Sequence, residues 1–69
     1  MTHEGFIAFK RMFELCRDKG QIYFVPDALG LSEDDLSELT LAGIIENAED
    51  INSEINFDID AAKRFLNQH

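Results

Sequence analysis

Eleven of the fourteen acids in this 69-residue chain lie between Gly20 and Ala62, and no Lys or Arg interrupts them. Carboxylates gathered this way can bind a cation, exchange protons as acid–base pairs, or meet a basic surface. The candidates on the two richest stretches are Asp34, Ser37, Glu38 and Leu41, then Glu46, Asp50, Glu54 and Asp58.

Cation binding is the first chemistry to test. Asp50, Asn52, Glu54, Asn56 and Asp58 alternate as ligands do in a calcium loop. An EF-hand loop requires Gly at its sixth position and Glu at its twelfth. Counted from Asp50, those positions hold Ile55 and Ala61, so no specific metal site is expected. Catalysis has as little to work with. His3 and His69 sit at the ends of the chain, remote from Cys16 and from the serines. Asp34 and Asp35 point in different directions on a helix, and the glycines (5, 20, 30, 43) are isolated rather than gathered into a phosphate-binding loop. The chain is therefore not expected to be an enzyme or to carry a cofactor.

Recognition of a partner remains. A net charge of −8 disfavours polyanions, because nucleic acid and anionic membranes bind through clustered Lys and Arg. The six cations are confined to Lys10, Arg11, Arg17 and Lys19, then Lys63 and Arg64. A basic protein surface is the partner the charge pattern favours, with Leu41 as an apolar anchor inside a charged rim. With no secretory h-region, no long apolar run and a single cysteine, the expected location is the cytoplasm and no membrane contact is expected.

The elements that must position these residues follow from periodicity and caps. Residues 2–19 form an amphipathic helix, with Thr2 at its start and Gly20 at its stop. Its apolar arc, including Phe6, Phe9 and Phe13, is wide enough to serve either as a core face or as a dimer seam. Gln21 to Val25 is a short strand ended by Pro26, which opens a very short helix through Leu29, closed by Gly30. The next helix runs from Ser32 to about Ala42. Ser32 is its N-cap, Asp35 the acidic half of a capping box, and Leu31 and Leu36 a hydrophobic staple. Leu36, Leu39, Thr40 and Gly43 form its expected packing side.

Ile44 to Asn47 and Ile51 to Asp60 read as a hairpin, with turn chemistry from Ala48 to Asn52. In the returning arm Ile51, Ser53, Ile55, Phe57 and Ile59 alternate with acids and amides, so one face is buried and the other is a carboxylate ridge. Asp60 caps a last helix from Ala61 to about Asn67. The expected fold is a single small α+β domain, ordered helix, strand, helix, helix, strand, strand, helix. A chain this short buries only about 60% of its unfolded surface, so its core must be efficient or completed by a second copy.

Gly30-Leu31-Ser32 at the turn, Leu36 and Leu39 after it, and Ala42-Gly43-Ile44-Ile45-Glu46 leading into a strand together resemble a winged helix over residues 22–59. The resemblance implies that the Ser32 helix occupies the DNA-reading position. Members of that family usually have a full helix before the turn, with a small residue four positions before the glycine; here that position is Pro26. The exposed positions of the reading helix are acids where base readout needs Arg, Lys, Asn or Gln. Direct DNA contact is therefore not carried over to them. In size and charge the chain is also similar to small acidic phage-encoded inhibitors that imitate nucleic acid. Three functions follow as expectations: an acidic protein-binding regulator or inhibitor, a dimeric DNA-binding regulator touching phosphates through the first helix, and an assembly protein that oligomerises through Phe6, Phe9 and Phe13.

Overall fold

A computed structural model describes residues 1–46 and 50–68. Thr2 opens α1 (His3–Lys19): its Oγ1 accepts the Gly5 N–H at 3.0 Å, and Arg17 and Lys19 complement the helix dipole at the far end. Gly20, at φ 70°, stops it with its N–H on the Cys16 carbonyl. The chain then runs through β1 (Tyr23–Phe24) into α2 (Pro26–Leu29), where Pro26 occupies the first turn and costs no hydrogen bond. Gly30 closes α2, and α3 (Glu33–Leu41) follows with Ser32 as N-cap. Next come β2 (Ile45–Glu46), β3 (Ile55–Phe57) and α4 (Ile59–Gln68). The protein is a mixed α+β chain with one three-stranded antiparallel sheet, ordered β1-β3-β2.

Register decides which residues face the core. Phe24 pairs with Ile55 and Ile45 with Phe57, all four turned inward. Tyr23, Asn56 and Glu46 form one row across the opposite face. Phe9, Met12, Leu39, Ile44, Ile45 and Ile55 are the large side chains sealed within the core. Phe9 is the hub of an aromatic cluster, with Phe57 at 6.2 Å and Phe65 edge-on at 5.4 Å. Such pairs add roughly 0.5–1.5 kcal/mol each beyond their burial.

The second half of the chain departs from the local pattern in three places. The period-two alternation spans Ile51 to Ile59, yet only Ile55–Phe57 is strand. β1 and β2 each have two residues, so the rest of the arm has no ladder to join. Asp50 to Ser53 instead makes a turn in which the Asp50 side chain accepts the Asn52 N–H at 2.7 Å. The last helix starts earlier than expected. Asp58, not Asp60, caps it, its Oδ1 accepting the N–H groups of Asp60 and Ala61 at 2.9 and 3.1 Å. The Asp58 N–H is still held by the Ile44 carbonyl at 2.7 Å, so the helix begins directly where sheet bonding ends. Thr40, expected on the packing side of α3, is exposed and turns its hydroxyl to the Leu36 carbonyl. The expected arm end at Asn47, the turn start at Ala48 and the terminal His69 lie outside the described residues.

Candidate partner-binding surface

The surface is built on α3, and α3 is held by one buried carboxylate. Asp35 is only 2% exposed. Its Oδ2 accepts the Thr2 hydroxyl at 2.6 Å and the Ser32 hydroxyl at 3.0 Å, and its Oδ1 accepts the Thr2 N–H at 3.0 Å. Both N-cap hydroxyls therefore do two jobs, since Thr2 also receives the Gly5 N–H and Ser32 the Asp35 N–H. Two helix starts converge on one anion, so the positive ends of two helix dipoles share it. Burial pushes the Asp35 carboxyl up, but the hydrogen bonds from Thr2 and Ser32 outweigh it and hold the group below the usual carboxylate range. A second tie joins the same elements: the N-terminal ammonium of Met1 pairs with Glu38 Oε1 at 2.9 Å. The hydrogen bond and charge of Glu38 raise the pKa of that ammonium.

With Asp35, Leu36 and Leu39 buried, α3 turns Glu33, Asp34, Ser37 and Leu41 outward. Leu41 is 90% exposed, the most exposed large apolar side chain described. A shallow groove of about 480 Å³ separates this face from the Asp50 turn. Glu33, Ser37, Leu41 and Asp50 border it, and Leu36 and Ile51 supply apolar lining. The far wall is fixed from behind, because the Ile51 carbonyl accepts the Asp27 N–H at 2.9 Å and so secures the turn to the first turn of α2.

The eight expected contact residues do not form one ridge. Ser37, Leu41 and Asp50 meet at this groove. Asp34 lies beside them on α3, and Glu38 is half-buried in its pair with the N-terminus. Glu46 and Asp58 line a different groove of about 380 Å³, together with Ile22, Tyr23 and Asn56. Asp58 is committed to capping α4. Glu54 is exposed just ahead of β3 and lines neither groove. The short β3 explains the division: residues 50 and 51 fold back toward α2 and α3, while residue 58 leaves from the opposite end of the strand.

The expected apolar seam on α1 is corrected at one position. Phe9 is fully buried within the single chain, so it lies in the core rather than on an oligomer face. Phe13 is half-buried and Phe6 is 37% exposed. Lys10 and Arg17 lie over the Phe6 and Phe13 rings at 5.9 and 5.8 Å. Arg17 also binds Asp18 through two hydrogen bonds of 2.8 and 3.1 Å, so part of the basic strip is spent within its own helix.

Sequence reasoning missed the partnership of Gly5 and Asp35. A signal was present, since a glycine in the first turn of a helix is unfavourable unless something approaches it closely. A β-carbon on Gly5 would collide with the Asp35 carboxylate. Among the described residues, no group of three or more His, Cys, Asp or Glu side chains could hold a metal ion. No described helix is long and apolar enough to cross a membrane. Comparison with protein-family models, curated proteins and solved structures finds no match for this chain.

Proposed function

We propose that this protein is a small acidic regulator or inhibitor that binds a basic protein surface through α3 and the neighbouring turn. The observation that carries the reading is Leu41, almost fully exposed between Glu33, Ser37 and Asp50 on a stretch of chain without cations. An exposed apolar side chain on a groove that also carries Glu33 and Asp50 can serve as the dry centre of an interface with a charged rim. Imitation of nucleic acid is the sharper form of the same reading, in which the carboxylates stand in for phosphates. For the fold, the β1-β3-β2 order with α2 and α3 between β1 and β2 supports a winged-helix-like arrangement.

The test is charge reversal at Glu33, Asp34 and Glu54, three exposed acids that make none of the structural hydrogen bonds described above. Changing all three to Lys is expected to leave the fold intact and abolish capture of a basic partner. Capture that survives the change overturns the reading.

A second reading, a dimeric DNA-binding regulator, draws on the exposed Lys10, Arg11, Arg17 and Lys19 of α1. A gel shift that weakens steeply with salt would favour it, because each phosphate contact releases counterions.

A further inference from the structure

We propose that the groove between α3 and the Asp50–Ser53 turn takes a cationic amphipathic helix of the partner, an apolar ridge seated on Leu41, Leu36 and Ile51 with Lys or Arg beside Glu33 and Asp50. The proposal rests on the acidic-face reading above and names the shape of what that face accepts.

Three observations select this occupant. The groove has both apolar and carboxylate walls, so it suits a ligand that is apolar on one side and basic on its flanks. Its described lining residues come from α3 and from the turn, and among the described residues no strand residue lines it. An extended peptide would therefore find no sheet edge to pair with and would bring unsatisfied backbone groups into the contact. A helix satisfies its own backbone and needs only side-chain contacts. Finally, both walls are fixed in advance. α3 is held through Asp35 by Thr2 and Ser32, and the turn is held to α2 by the Asp27–Ile51 hydrogen bond. Walls that need no ordering on binding lose little entropy when the groove is filled.

The experiment uses the full chain and a labelled peptide of about 15 residues, near the length at which an isolated helix becomes stable. Leu residues at i, i+4 and i+7 give it an apolar face, and Lys fills the flanks. The control is a scrambled peptide of the same composition with no apolar face. The amphipathic peptide is expected to bind, to shift the amide resonances of Leu36, Ser37, Thr40, Leu41 and Ile51, and to weaken about tenfold or more with Leu41→Ser. The scrambled peptide is expected to bind at least about tenfold less well. Equal binding of the two peptides overturns the groove, as does indifference to Leu41→Ser or a set of shifts confined to the sheet face. In those cases the acidic-face reading still stands if the triple reversal at Glu33, Asp34 and Glu54 abolishes binding of both peptides. If neither peptide binds the wild-type chain, both proposals fall.

Discussion

Asp35 occupies the space that a side chain on Gly5 would need, so the first turn of α1 rests directly on a carboxylate from the first turn of α3. The contact is part of a relay. The Gly5 N–H goes to Thr2 Oγ1, and the Thr2 hydroxyl proton goes to Asp35 Oδ2. A glycine ordinarily weakens a helix. Here its missing β-carbon lets two helix N-termini close on one anion.

Gly5→Ala is the direct test of that contact. In an open helix the change adds up to about 1 kcal/mol of stability. Against the Asp35 carboxylate it is expected to cost about 1–3 kcal/mol, as overpacking does in a tight interior. Urea denaturation should show a lower midpoint at unchanged slope. A more stable Gly5→Ala protein would mean the two helix starts are not in contact.

Thr2 and Ser32 should behave as parts of one network. Replacing either cap by Ala is expected to cost about 1 kcal/mol, as N-cap substitutions typically do. Combining Thr2→Ala with Asp35→Asn should cost measurably less than the two separate losses added together, because both remove the same hydrogen bonds. Strict additivity in that double-mutant cycle would show that the relay is not coupled.

The Asp35 carboxyl also sets a pH dependence. Its pKa is depressed in the folded chain, so the unfolded chain takes up this proton first as the pH falls. The stability it contributes is complete above the ordinary carboxylate value, about 3.9, and is lost as the pH drops through the lower folded value. The measurement is the difference in unfolding free energy between wild type and Asp35→Asn. That difference is expected to be largest near neutrality and to shrink in acid. A difference constant across the acid range would show that Asp35 is not held as an anion.

Cys16 should be a slow thiol. Burial pushes its pKa up, and the negative charge of Asp58 pushes it further the same way. Alkylation at neutral pH is expected to be much slower in the native protein than in urea, and to be limited by opening of the fold. A native rate equal to the denatured one would remove Cys16 from the core.

Phe9 and Phe6 lie one turn apart on α1 and should respond very differently. Phe9→Ala empties the middle of the aromatic cluster and is expected to cost about 3–5 kcal/mol. At about 0.05–0.15 kcal/mol per residue that is a large share of the stability of a chain this size, so the variant should melt far below the wild type. Phe6→Ser is expected to cost far less, since Phe6 is partly exposed. Circular dichroism melts on both variants separate the two outcomes. Equal losses would contradict the burial difference.

Much of the fold was legible in single stretches of sequence. Thr2, Ser32, Gly20 and Gly30 mark helix ends because a cap satisfies backbone groups only a few residues away. Pro26 opened a helix of four residues for the same local reason. The segregation of charge and the exposed Leu41 could also be read directly, and they carry the functional reading. What could not be read was anything that depends on a distant partner. The alternation from Ile51 to Ile59 says which side chains share a face. The length of β3 was set by β2, which precedes it closely, and by the distant β1, each only two residues long.

The starts of α1, α2 and α3, the stops of α1 and α2, the pool of apolar residues and the sign of the charge along the chain were all readable before folding, because each depends on neighbours within a turn or two. Only the tertiary structure decided that Phe9 is core while Phe6 is partly surface, that Asp58 rather than Asp60 caps α4, and that the acidic ridge divides between two grooves. It also decided that Asp35, one of three acids in a row, is buried while Asp34 stays in water. The physical reason is the same in each case. Burial and long-range hydrogen bonds exist only once the chain has closed, and a carboxylate can leave water only where donors from elsewhere in the chain arrive to meet it.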